Sequence, residues 1–155
     1  VEVKTQLVND SPSSIVGTMA NASTFTAVEA ENMDVAKYGD MFAGGWSARW
    51  PFTTKGSKAS FVVDIKDTKA ITGFGCNAYA VNNYTVSVST DKTTWTELGN
   101  SAEHKTMRDD DYNNIYVLYG GVNCRYVKFE FNLNAGDWSW DYGWAGMSGL
   151  YLYFQ

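Results

Sequence analysis

Residues 83–98 read NYTVSVSTDKTTWTEL, and the fold turns on how this stretch is read. Tyr84, Val86 and Val88 alternate with Thr85, Ser87 and Ser89. A period of two sends one set to a buried face and the other to solvent, which is a half-buried strand. Residues 90–93 are polar and turn-prone, and residues 94–98 resume the alternation. The unit reads as a β-hairpin, with Trp95 expected to fold onto the sheet beside Val86 or Val88 as part of the core.

Other strands are legible on either side. Residues 59–65 form one, and residues 71–78 form a second with Ile71, Phe74 and Cys76 apolar. Residues 115–118 and 125–131 are two more, parted by a Gly120-Gly121 turn. At the end of the chain Leu150, Leu152 and Phe154 alternate with Tyr151 and Tyr153. Residues 1–8 and 15–19 read as short strands, and residues 20–34 as strand and loop. The total is roughly eight to ten short strands with no convincing helix, the pattern of an all-β antiparallel sandwich or jelly roll. Neither an internal repeat nor a linker divides the chain, so residues 1–155 are expected to form a single domain.

Composition narrows the function classes. The aromatic content is 15%, and 12 basic residues stand against 17 acidic ones for a net charge of −5. That balance argues against nucleic acid or an anionic membrane surface as partner. No apolar run reaches the roughly 20 residues a membrane helix needs. The chain starts without Met or a signal peptide and is expected to be a mature or excised piece of a larger multidomain protein. Cys76 and Cys124 could pair if their strands are neighbours, but two buried free thiols are the simpler expectation. Three triplets, at Asn9, Asn21 and Asn83, fit the glycosylation sequon, a pattern that so Ser- and Thr-rich a chain produces by chance.

Three blocks carry a family resemblance. Tyr84, Val86, Ser89, Asp91 and Trp95 match the strand–turn–Trp pattern of discoidin-type domains. Residues 60–65 (SFVVDI) resemble that family's strand ending in Asp-Leu, and residues 124–129 (CRYVKF) its Ala-Arg-Tyr-Val-Arg-Leu strand. These domains belong to the galactose-binding-like β-sandwiches, which include many bacterial carbohydrate-binding modules. The resemblance implies a ligand site among loops at one end of the sandwich, in a secreted or cell-surface protein. It also implies a structural Ca2+ in an Asp-Gly-Asp-x-x-Thr-x-Trp loop, held partly by backbone carbonyls. Here Gly39-Asp40 and Trp46 match that loop and its Thr is missing. A Glu expected to open the last strand would fall near Ser148-Gly149.

Candidate chemistry concentrates in aromatic loops. Residues 34–58 carry Tyr38, Phe42, Trp46, Trp50 and Phe52 among several glycines, and residues 132–147 carry Trp138, Trp140, Tyr142 and Trp144. Sugar rings lay apolar C–H faces on flat indoles, while their hydroxyls seek carboxylates, amides and guanidinium groups. Trp46, Trp50, Trp138 and Trp140, with Tyr79, are therefore the candidate platforms, and Asp137, Asp141, Arg49 and Arg108 the hydroxyl partners. Asp40 is the candidate metal ligand. Small sandwiches also plug their ends with aromatics, so any single Trp has a packing alternative.

An enzyme finds little support. His104 is the only histidine, which removes His-pair zinc motifs, and no Gly-x-Ser-x-Gly elbow occurs. Residues 109–113 begin like an EF-hand loop, but Asn114 and Gly120 stand where that loop needs Gly and Glu. Gly73, Gly75 and Ala78 match a dinucleotide fingerprint without the helix it requires. Acids such as Asp109, Asp111, Asp137 and Asp141 could pair for glycoside hydrolysis, but acids in Gly- and Asn-rich loops usually make turn hydrogen bonds. The expected function is non-catalytic carbohydrate binding without membrane insertion. A protein- or lipid-binding adhesion domain is the alternative, and a glycosidase comes third.

Overall fold

The computed structural model describes residues 6–10, 17–19, 25–42, 50–53, 58–79, 81–100, 115–133 and 146–155. Among the described residues nine strands run in order: β1 (Gln6–Asp10), β2 (Thr18–Met19), β3 (Thr26–Glu31), β4 (Trp50–Pro51), β5 (Lys58–Tyr79), β6 (Val81–Ser89), β7 (Thr96–Asn100), β8 (Ile115–Leu133) and β9 (Gly146–Phe154). A 3-10 helix, Val35–Phe42, lies between β3 and β4. All pairings are antiparallel, and the central path is β2-β9-β5-β8-β6-β7. The all-β antiparallel expectation holds.

Two long strands make the sandwich by serving both of its layers. The first half of β5 pairs with β3 and with the second half of β8, from Lys58↔Asn132 to Asp64↔Tyr126. The second half of β5 pairs with β9, from Ile71↔Phe154 to Tyr79↔Gly146. One layer is thus β3-β5-β8-β6-β7; the other joins β1, β8, β5 and β9, with β2 and β4 on β9. The strands bend where the backbone leaves the ordinary strand region. In β5 this is Lys66 at φ 69°; in β8 it is Gly120 and Gly121, at 98° and 65°. A side chain at Gly121 would press on Ala70, so glycine suits both the angle and the space. Residues 59–65 and 71–78, which read as separate strands, are therefore two halves of one. Residues 115–118 and 125–131 are likewise halves of one strand, and the glycine pair between them is a bend within it.

The core lies between the layers and is organised on Phe129. Its ring stacks on Phe61 (5.1 Å) and Tyr84 (5.4 Å) within one layer and meets Phe74 of the other edge-on at 6.2 Å. Val63, Val86, Val127, Leu150 and Leu152 fill the space around these rings. Each full burial of such a side chain is worth about 1.5–3 kcal/mol. Cys76 and Cys124 are buried free thiols, as expected. Burial raises both, Cys124 up to about 12, so neither is a nucleophile at neutral pH.

The polar residues of the hairpin at 83–98 hold its turn. The Ser89 hydroxyl accepts from the Asp91 and Lys92 amides (3.2 and 2.9 Å) and donates to Asp91 Oδ1 at 2.9 Å. That same oxygen accepts from the amides of Thr93 and Thr94 at 2.8 and 2.9 Å. The network saturates a turn in which Lys92 adopts φ 63°.

Trp95 departs from expectation. It is half-buried and lies outside the core, with the Lys128 ammonium 4.2 Å from its ring centroid. Val86 and Val88 point into the core, which the phenylalanine rings already fill. Lys128 is paired with Ser87, on the opposite face of β6 from those valines, so Trp95 packs on the outer surface of the layer.

Candidate functional site

Strand register brings together the strand ends that flank the two aromatic-rich segments of the sequence. Residues 43–49 end at β4, and residues 134–145 end at β9; these two stems are joined by Trp50↔Met147 and Pro51↔Gly146. Tyr79↔Gly146 brings the end of β5 to the same place, and Val81↔Leu133 does so for the start of residues 134–145. Gly146 is required there. At φ 155°, a Cβ would lie 2.5 Å from the Trp50 carbonyl oxygen and 2.7 Å from Pro51 Cα.

Polar side chains lock the same stems. Asn83 Oδ1 accepts from the amides of Asn132 (2.6 Å) and Asn100 (3.0 Å), and Asn100 also donates to Thr85 Oγ1 at 2.8 Å. This ties the strand ends leading into residues 101–114 and 134–145. Sequence reading saw Asn83 only as a sequon, although its amide oxygen is a structural acceptor. On the other flank Asn32, at φ 60°, accepts from the Thr53 amide and hydroxyl and donates to the Lys58 carbonyl.

The expected site residues divide sharply. Trp46, Arg49, Arg108, Asp137, Trp138, Trp140 and Asp141 lie outside the described residues. Tyr79 closes β5 beside Gly146, and its backbone alone is described. Trp50 is corrected: it is fully buried, 4.9 Å from the Phe61 ring, and its indole N–H donates to the Asp34 carbonyl at 2.6 Å. With no exposed face it cannot stack on a ligand. It plugs the sandwich and anchors the stem of residues 43–49, the packing role open to any end-loop aromatic. Trp46, its neighbour in sequence, is untouched by this result.

A calcium site needs several oxygen ligands converging on one point. Gly39 and Asp40 fall within the 3-10 helix, where backbone groups bond one another three residues apart. Gly149, where the resemblance sought a carboxylate, lies in β9 opposite Asn77 and offers no side chain. Among the described residues no group of three acidic, histidine or cysteine side chains is placed to hold a metal. The described residues do not assemble an ion cage, and Ca2+ near Asp40 stays a proposal.

Residues 19–147 match the family model of the F5/8 type C domain. No curated protein sequence matches the chain. Among solved structures, CBM32-3 from a family 31 glycoside hydrolase of Clostridium perfringens is similar at 13% identity and TM-score 0.61, over 88% of this chain and 95% of its own. Chitosan-binding module 1 from a chitosanase/glucanase of Paenibacillus sp. IK-5 is 18% identical, with TM-score 0.59 over 84% and 95%. CpGH89CBM32-5 of Clostridium perfringens, solved with GalNAc-β-1,3-galactose, is 14% identical, with TM-score 0.60 over 88% and 99%. At these identities the structural similarity speaks to the fold, while the family model covers most of the sequence: the chain belongs to the F5/8 type C domain family.

Proposed function

We propose that this chain is a non-catalytic carbohydrate-binding module that holds glycans in an aromatic loop site at one end of the sandwich. The observation that carries the reading is the convergence of stems at Trp50↔Met147, Tyr79↔Gly146 and Val81↔Leu133. The strand ends that meet there flank, in sequence, residues 43–49, which carry Trp46 and Arg49, and residues 134–145, which carry Asp137, Trp138, Trp140 and Asp141, and this supports a shared site. The names of similar structures support the ligand class: one is a chitosan-binding module and another holds GalNAc-β-1,3-galactose. Such modules accompany enzymes in those names, which supports the reading that the chain is one part of a larger protein; secretion or cell-surface display belongs to the same proposal.

The test is a glycan array run beside anionic liposomes. Glycan binding abolished by Trp138→Ala with Trp140→Ala supports the reading. Binding to liposomes alone assigns the domain to membrane adhesion, and sustained release of reducing sugar from a bound polysaccharide assigns it to the glycosidases.

A further inference from the structure

The outer face of the β3-β5-β8-β6-β7 layer holds a second candidate site, distant in character from the aromatic loops. Across this face, register sets Glu31, Ser60, Glu130 and Thr85 in one row. The next row is Glu29, Val62, Lys128, Ser87 and Glu97. Long side chains on β3, β8 and β7 thus alternate with short ones on β5 and β6. Neighbouring strands lie about 4.8 Å apart, so the β3 and β8 ridges flank a trough roughly 10 Å across at the backbone.

Two adjoining hollows occupy the face. One, of about 330 Å³, lies above Ser60 and Val62 and is closed at one end by Trp95, Lys92 and Lys128. The other, of about 260 Å³, lies above Ser60 and Thr85 between Glu31, Glu97 and Glu130, and reaches Lys58 and Asn132. Glu31, Ser60 and Glu130 line both, so the hollows form one continuous groove. Its Lys58–Asn132 end leads to Asn83 and the stems of the aromatic loops.

The groove is polar and is not spent on holding the fold together. Lys92 is engaged with Glu29 at 2.8 Å, and Lys128 sits over Trp95. Glu31, Glu97 and Glu130 are exposed and enter no ion pair among the described residues. An indole wall, hydroxyl-bearing floor residues and carboxylate acceptors are what a pyranose chain uses: apolar ring faces on one side, hydroxyls and amines on the other. Carboxylates bond a charged amine more strongly than a neutral hydroxyl, and they repel a uronate.

We infer that this groove is a second glycan-binding site, taking a linear chain that carries free amino groups along β5 between Trp95 and Asn132. It stands whether or not the end-loop site is where Trp138 and Trp140 would put it.

The experiment is calorimetric titration of the whole chain with a glucosamine hexamer, the N-acetylglucosamine hexamer and an oligouronate of equal length. The glucosamine hexamer should bind most tightly and the oligouronate least. Glu31→Gln with Glu130→Gln should weaken the glucosamine hexamer at least tenfold, and added salt should erode the remaining difference. The end-loop reading is tested on Trp138 and Trp140, and Glu31 and Glu130 lie outside that site, so the double Gln variant separates failure here from failure of the end-loop reading. Amide chemical shifts supply a second readout, with Ser60, Thr85 and Lys128 moving in the wild type and not in the double Gln variant. Equal affinity of wild type and double Gln variant, preference for the oligouronate, or shifts confined to the loop stems would each overturn the inference.

Discussion

The Lys128 ammonium lies 4.2 Å from the centroid of the Trp95 ring, which fixes that tryptophan on the outer face of its layer. Its stability contribution is then that of a half-buried ring with a cation neighbour. Such a cation–π contact is worth about 0.5–1 kcal/mol where exposed. Trp95→Ala should cost about 1–2 kcal/mol of stability in urea unfolding. Phe129→Ala, which removes the ring at the centre of the core, should cost about 3–5 kcal/mol. A Trp95→Ala loss matching that of Phe129→Ala would return Trp95 to the core.

Trp95 also shows where sequence reading stops. Alternation at Tyr84, Val86 and Val88 correctly puts those three in the core, because period is a property of the strand itself, but Ser87 and Ser89, expected in solvent, are buried on the other face. Trp95 precedes β7, where no alternation binds it, and only tertiary packing chooses its face. The same limit acts at the corners. Gly120-Gly121 signalled a break, yet the ladder continues because glycine can bend a strand as readily as end it. At the site, Trp50 and Trp46 carried the same signal from one loop, and Trp50 is core. Aromatic content says that a ring seeks cover; whether protein or ligand supplies it depends on the pairing Trp50↔Met147, which joins residues far apart in sequence. The outer-face groove was invisible for a related reason: its acids sit on three strands and meet only through register.

Asp64 should make stability depend on pH in the acid range. Its carboxylate accepts a forked pair of bonds from Arg125, at 3.0 and 3.1 Å, and the Lys66 amide at 2.8 Å. The Arg125 bond is the main cause of a carboxyl held below its ordinary value of 3.8. A folded-state value below the unfolded one stabilises the protein above 3.8, and that stabilisation is lost as pH falls through the lowered folded value. Wild type should therefore exceed Asp64→Asn in melting temperature by a constant margin well above pH 3.8, and the margin should close as acid is added. A margin that stays unchanged into strong acid would show that the pair does not titrate with folding. Arg125→Lys should recover only part of it, because an ammonium cannot reproduce the fork.

Gly146 couples the fold to the end-loop site. Gly146→Ala forces a Cβ against the Trp50 carbonyl and Pro51, and the backbone angle is strained for any other residue. It should unseat β4 from β9, lowering stability by about 1–3 kcal/mol, the usual range for a strained backbone position. Under the proposed end-loop site, glycan binding should weaken along with it. Wild-type stability in Gly146→Ala would mean that β4 does not hold these stems.

The calcium proposal rests on Asp40 and predicts a structural ion. An ion bound only by the folded state at 100 times its dissociation constant adds about 2.7 kcal/mol, so excess chelator should lower the melting temperature and added Ca2+ restore it. Asp40→Asn should abolish the response. A melting curve indifferent to chelator removes the ion from this domain.

Trp138 and Trp140 give the deciding prediction for the end-loop site. They stand two residues apart in DWSWD, a spacing that would turn both rings the same way along an extended backbone, with Asp137 and Asp141 on the opposite face. Aromatic contacts dominate small interfaces. Trp138→Ala and Trp140→Ala should each weaken glycan binding about tenfold or more, the factor that corresponds to about 1.4 kcal/mol. Neither should move the melting transition appreciably. Trp50→Ala is the control, since it removes a fully buried ring packed at a tilt against Phe61 and an indole hydrogen bond to Asp34, and should cost about 3–5 kcal/mol of stability. If Trp138→Ala and Trp140→Ala instead behave like Trp50→Ala, those rings are end plugs, and Trp46 becomes the platform to test. If they alter neither stability nor binding, the glycan is held elsewhere, and the groove between Trp95 and Glu130 is the surface left to carry it.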